Sequence, residues 1–262
     1  MKKKILYLLT CVGLCWSSCT NEVDEFIGNV EPSTRSVSTA LNANLASLFT
    51  GGAPTLTSAE IKEVNDAYAK MTSINCYRNI DEAVRNKTSY AGTIFLDDTY
   101  ASAYFRKGSL AFPPYGILAS SMGHEFIHMY QRDVQGKKVD TDKEKRDTGM
   151  MEFELAFYQG IIRYIHAGYS WTFKGEDGDP SYQSLWTSGL TDPSLIPQYE
   201  REFQTYVASI CANGKPTSID INEFVKWSNI FGEYSRGYSG KGYKFGNYDY
   251  GTSCINSLLK LY

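Results

Sequence analysis

His124-Glu125-Phe126-Ile127-His128 decides how this sequence is read, because between Lys107 and Met129 Glu125 is the only Asp, Glu, Lys or Arg. The surrounding apolar run predicts a helix over residues 115–134, fenced upstream by Pro113-Pro114, which end any strand. On a helix, histidines at i and i+4 stand one turn apart on the same face. Both imidazoles can therefore reach one cation at about 2.0–2.1 Å. Glu125 is rotated by about 100° from His124. That is a poor direction for a third ligand and a good one for taking a proton from water held by the ion. A carboxylate among apolar neighbours also demands a partner, because burying it alone is expensive. The chain has three histidines, and two of them are in this motif. The plainer reading is a helix carrying two incidental histidines and a satisfied acid.

Outward from the motif, the pattern alternates between short extended pieces and longer helices. Residues 92–112 read as strands: Gly92–Leu96, a turn at Asp97-Asp98, then Ala101–Phe105 and Ser109–Phe112. Further upstream, Thr57-Ser58-Ala59-Glu60 is a capping box, followed by Ile61, Val64, Tyr68 and Met71 at helical spacing. Downstream, the mixed charges of Gly136–Gly149 predict a solvated loop or a short helix. Helices are expected over Met150–Gly168, Leu195–Asn213, Asp220–Tyr234 and, briefly, Cys254–Leu261. Between the last two, five tyrosines alternate loosely with glycines over residues 234–251, a composition that suits a long loop or ragged hairpin. The expected fold class is α+β, mostly α, with the motif helix packed on a small sheet and a helical C-terminal part.

Of the 262 residues, 42% are apolar and 21% charged, which excludes a collagen, a disordered tail and a multi-span membrane protein. The net charge of −3 offers no basic surface for nucleic acid. Residues 1–18 have the form of a signal peptide, with Lys2-Lys3-Lys4 ahead of the apolar run Ile5–Trp16. That run is too short to cross a bilayer, which takes about 20 residues. Cleavage would remove three lysines and no acid, leaving a net charge of −6.

Ser17-Ser18-Cys19 resembles a bacterial lipoprotein cleavage site, which implies lipidation of Cys19 and tethering to a membrane of the bacterial cell envelope, the outer membrane above all. Residues 19–53, rich in Ser, Thr and Asn, read as the tether, with a short helix expected within it over Val37–Phe49, and 54–262 as the folded domain. In an oxidising envelope Cys211–Cys254 is the favoured bridge, with Cys76 left free. No C-x-x-C pair is present, so a cysteine-built zinc site is not expected.

On the H-E-x-x-H residues, the chain resembles the zincin metallopeptidases. The resemblance covers about residues 90–165. It implies Zn²⁺ held by His124 and His128, Glu125 as the catalytic base, and a motif helix beneath a small sheet whose edge strand pairs with a peptide or protein substrate. The metzincin branch places Gly and a third His where Gln131 and Val134 stand here, so that branch is excluded. A glutamate from the following helix, as in gluzincin-like enzymes, is the remaining common third ligand. Glu152 and Glu154 both qualify, and one alone can face the metal, because residues two apart differ by about 200° around a helix. Glu154 shares the apolar stripe of Phe157, Tyr158 and Ile161 and is the expected ligand; Glu152, beside Ala156 and Gln159, is the alternative.

Other polar candidates have plainer readings. His166 reads as a surface residue or an oxyanion donor, and the tyrosine-rich segment as a surface loop, a source of a hydroxyl, or aromatic walls for substrate. Ser120, Ser121 and Gln131 read as packing or solvated residues. The competing function is a surface-anchored binding module with a structural or vestigial metal site, and a further option is hydrolysis of an amide that is not a peptide.

Overall fold

Lys107 and Gly108 both adopt positive φ, 50° and 78°, the two-residue turn that matches the twist of a tight hairpin. It joins β2 (Tyr104–Arg106) to β3 (Ser109–Phe112). The pairing is antiparallel, with Phe105 opposite Leu110 and Arg106 opposite Ser109. On the other side of β3 lies β1 (Ile94–Leu96), parallel to it, which gives a three-stranded sheet of order β1-β3-β2. The extended stretch expected at 92–112 is thus a sheet. Gly92 is required there, because a Cβ would lie 2.2 Å from the Gly108 carbonyl oxygen.

The protein's computed structural model describes residues 40–137, 145–166, 190–211, 215–235, 237–243, 245–246 and 253–262. The expected signal peptide, Cys19 and most of the expected tether lie outside these residues. No helix among them is long and apolar enough to cross a membrane.

The architecture is α+β and mostly helical. Helices α1 (Ala43–Leu48), α2 (Ser58–Thr72) and α3 (Asn75–Lys87) precede the sheet. The capping box is formed at α2: the Glu60 backbone N–H donates to Thr57 Oγ1 at 3.3 Å, and the Thr57 N–H donates to Glu60 at 2.6 Å. After the sheet come α4 (Ala119–Met129), a π-helical turn over Tyr130–Val134, and α5 (Lys145–His166). The chain continues through a 3₁₀ turn (Pro193–Leu195), α6 (Ile196–Ile210), α7 (Ile221–Tyr234) and α8 (Ser253–Leu259). Helix α4 starts later than residue 115: the chain first turns at Pro114-Tyr115, with the Gly116 N–H donating to the Pro113 carbonyl at 3.4 Å, and the helix begins at Ala119.

The folded body begins earlier than Pro54, which corrects the expected 19–53 tether. Leu45, Leu48 and Phe49 are fully buried. Residues 48–52 run beside 90–94, with Tyr90 N–H donating to the Leu48 carbonyl at 2.6 Å and Ile94 N–H to the Gly52 carbonyl at 2.8 Å. Leu41, Leu45 and Leu48 recur at helical spacing, and the short helix expected within Val37–Phe49 forms as α1, packed into the core and not strung along a tether. The expected Cys211–Cys254 bridge is corrected too: Cys211 is a buried free thiol, as is Cys76.

Two packed regions meet at α4 and α5. One is aliphatic and aromatic, formed by α2 to α4 around Met71, Tyr77, Ile80 and Phe126. The other is a lattice of rings: Phe153 and Phe157 of α5 against Phe224 of α7, with Phe203, Trp227 and Phe231 completing it. If residues 45–49 belong to the core, Leu45→Ala lowers the unfolding free energy by about 2–5 kcal/mol in urea titration. A change below about 0.5 kcal/mol, as for an ordinary surface site, would return this segment to a tether.

Candidate metal centre

Helix α4 is buried around nearly its whole circumference, from Ala119 through Ile127, so it carries no solvent face to relieve its polar residues. Gly123 lets it approach α3: a Cβ there would fall 2.8 Å from the Tyr77 ring. This contact fixes the helix immediately before the motif.

The two imidazoles meet. His124 Nε2 and His128 Nε2 are 3.1 Å apart, with ring centroids separated by 4.7 Å. The carboxylate that joins them comes from α5 and belongs to Glu152, with Oε1 3.3 Å from His128 Nε2 and Oε2 3.9 Å from His124 Nε2. One donor atom from each of His124, His128 and Glu152 lies within 4.8 Å of the others.

Glu154, the expected third ligand, is elsewhere. It is fully buried and accepts from Gln131 Nε2 at 2.6 Å. The reason lies in the position of α5. Every residue from 149 to 162 is buried except Glu152, which is partly exposed. A helix enclosed on all sides has no single inward face, so the apolar stripe marks the packed core while the metal cleft opens at the one less apolar position.

The donor set suits a divalent cation. Two imidazole nitrogens and a carboxylate form the three-ligand arrangement that leaves a position open for water. Lone pairs on two such nitrogens 3.1 Å apart repel unless a proton or a cation lies between them. His128 and Glu152 keep 17% and 18% of their side-chain surface exposed, against 6% for His124, so the centre opens on their side.

Without a cation, these groups divide protons among themselves. Burial, reinforced by charge on His128, pushes His124 down to about 3. Burial also opposes charge on His128, but the Glu152 carboxylate, its hydrogen bond and Glu125 outweigh it and hold His128 above the ordinary imidazole range. Glu152 stays ionised below the usual carboxylate range, because the charge and hydrogen bond of His128 overcome its burial. Burial pushes Glu125 up to about 8, partly offset by His128 and by the Phe105 backbone N–H.

Glu125 lies beside the pair, its Oε1 3.9 Å from His124 Nε2. It is 5% exposed. Phe105 sits at a position of β2 whose backbone groups point away from β3, toward the helix. The free edge of the sheet therefore runs past the motif.

Two contributions were not legible in the sequence. Gln131, expected to be packing or solvated, is fully buried and its Oε1 lies 2.9 Å from His128 Nδ1. Tyr238 of the tyrosine-rich segment donates its hydroxyl to Glu152 Oε2 at 2.9 Å. A segment bearing many tyrosines signals hydroxyls in general; which one reaches the site is set by anchoring. Phe245 lies on Gly232, where a Cβ would meet its ring at 2.2 Å, and Gly246 N–H donates to Ser228 Oγ at 3.0 Å. Ser120 and Ser121 are buried on α4. The His166 side chain lies outside the described residues.

No protein-family model, curated protein or solved structure matches this chain.

The electrostatics give a signed expectation. Glu125 and His128 both bind protons more tightly folded than unfolded. From about 6.5, the ordinary imidazole value, to about 8, the folded value of Glu125, the folded state holds more protons than the unfolded one. Stability of the zinc-free protein then falls as pH rises through this window. Calorimetry should show a declining Tm between these pH values, and saturating zinc should raise Tm and flatten the decline. A zinc-free Tm that rises across the window contradicts the assignment.

Proposed function

We propose that the protein is a zinc-dependent peptidase carried on an exported bacterial lipoprotein, with His124, His128 and Glu152 as metal ligands and Glu125 as general base. The convergence of two imidazoles and a carboxylate beside a buried, unliganded glutamate carries the reading. The small sheet followed by the motif helix supports a zincin-like arrangement.

Zinc bound there would supply a Lewis acid and a water whose pKa falls toward about 7. The chain's own groups do the rest. Glu125, whose carboxyl burial keeps protonated, would be ionised with a cation held beside it by His124, His128 and Glu152. It takes the proton as the water oxygen bonds to the substrate carbonyl carbon. It then returns that proton to the amide nitrogen as the C–N bond breaks. The free edge of β2 would take an extended peptide by strand addition, with the Phe105 backbone N–H kept on Glu125. Glu152, steadied by Tyr238, completes the ligand set. Cys19 would carry the lipid that holds this body at the membrane of the cell envelope, probing peptides or proteins with no role for nucleic acid.

One observation favours the competing reading, a surface-anchored binding module with a metal that only holds the fold. Tyr238 rests on Glu152 and stacks edge-on against Tyr243 at 5.4 Å, which gives the site an aromatic border suited to recognition.

Zinc-loaded wild type and Glu125→Gln, assayed on a peptide library by mass spectrometry, separate the two. The peptidase reading expects cleavage by wild type and a loss of about 10²–10⁴-fold in Glu125→Gln, with zinc content and Tm unchanged. Equal cleavage by both would remove Glu125 from the chemistry. Peptide binding without cleavage by zinc-loaded wild type would favour the binding module.

A further inference from the structure

The Gln131 side chain is a buried amide with both N–H donors and its oxygen engaged. Its Nε2 donates to the Met151 carbonyl at 3.0 Å and to Glu154 Oε2 at 2.6 Å. Two acceptors on that side fix which end of the amide carries nitrogen. The opposite end, Oε1, therefore faces His128 Nδ1 at 2.9 Å. A carbonyl oxygen accepts and never donates, so the hydrogen sits on His128 Nδ1. The lone pair of the neutral ring is then on Nε2, directed at His124 and Glu152.

His124 supplies the contrast within the same site. Its Nδ1 is buried and has no hydrogen-bond partner among the described residues. One ring of the pair is locked from behind and the other is not. The lock also has a buried anchor. Glu154 is fully buried on α5, and its acceptor oxygen on the amide N–H polarises the amide and strengthens the amide oxygen as an acceptor.

We propose that Gln131 and Glu154 form a relay from α5 to the back of His128 that fixes its metal-binding tautomer and sets the affinity of the centre for zinc. The proposal rests on the metal-site reading above but not on hydrolysis. In it, the glutamate expected from the sequence as a ligand acts one residue removed from the metal, through Gln131. Gln131 and Glu154 are positioning residues. The pairing also ties the motif helix to α5, the same helix that delivers Glu152. Partners behind metal-bound histidines set both ring orientation and ligand basicity, and removing one typically weakens metal binding about 10–100-fold.

The test uses the purified protein, zinc as the probe, a chromophoric chelator as competitor, and circular dichroism to confirm folding. Wild type should bind one zinc per chain, and folded Gln131→Met should bind it about 10–100-fold more weakly. Glu154→Gln, which keeps an acceptor at that position, should lose less. A ¹H–¹⁵N spectrum of the three imidazoles should show a protected Hδ1 on His128 in zinc-loaded wild type and none in Gln131→Met. A merely structural role for Gln131 would lower Tm while leaving the zinc affinity of the folded protein and the His128 signal unchanged.

If Gln131→Met does not fold, the swapped pair decides. Gln131→Glu alone removes the N–H that Glu154 accepts and should weaken zinc binding, and adding Glu154→Gln, which returns a donor to the pair, should recover most of the loss, a coupling read from the double-mutant cycle. Unchanged affinity and an unchanged Hδ1 signal in Gln131→Met, or no recovery in the swapped pair, overturns the relay while leaving the metal site standing. Failure of wild type to bind zinc overturns both.

Discussion

The arrangement depends on one constraint: a carboxylate on α5 must meet two imidazoles one turn apart on a helix with almost no exposed face. Buried ionisable groups are tolerated when they answer one another. Here they do so through a connected set that leaves out His124 Nδ1. His128 faces Glu152 on one side and Gln131 on the other, and Gln131 in turn satisfies Glu154 and the Met151 carbonyl. Moving α4 by a fraction of an ångström relative to α5 would leave several buried polar atoms unanswered together, each a penalty of about 1–3 kcal/mol.

The surrounding packing can be understood as what holds those two helices in place. On one flank, the Gly123–Tyr77 contact admits α3. On the other, Phe153 and Phe157, which bracket Glu154 on α5, are keyed into rings from α6 and α7. The same lattice reaches the tyrosine-rich segment, because Phe231 touches both Phe153 and Tyr238. The hydroxyl that steadies Glu152 is thus supported by the core that positions Glu152 itself. Arg132, on the π-helical turn just after the motif, lies 4.3 Å over the Phe105 ring and pairs with Asp133, which ties the sheet edge to the end of the motif helix.

Signals confined to a few neighbouring residues are legible in the amino-acid sequence. The H-E-x-x-H spacing, the Thr57–Glu60 capping box and the extended 92–112 stretch each express a local geometric rule, and each forms the expected local element. Choices that depend on what packs against what are not legible there. Glu154 looks inward in the sequence because its neighbours are apolar, yet α5 is enclosed on every side, and the cleft opens at Glu152. Gln131 stands out in no sequence pattern, because its role requires α5 behind it. The short helix at Ala43–Leu48 is legible, but its place in the core is not, because Leu41, Leu45 and Leu48 lie in a stretch otherwise composed like a linker.

The claim that His124, His128 and Glu152 form one zinc-binding centre is tested most directly by elemental analysis joined to zinc-edge X-ray absorption on the purified wild type. The account predicts one zinc per chain in a shell of nitrogen and oxygen only, with scattering from two imidazoles. Zinc that fails to bind, or a shell containing sulfur or fewer than two imidazoles, would contradict it.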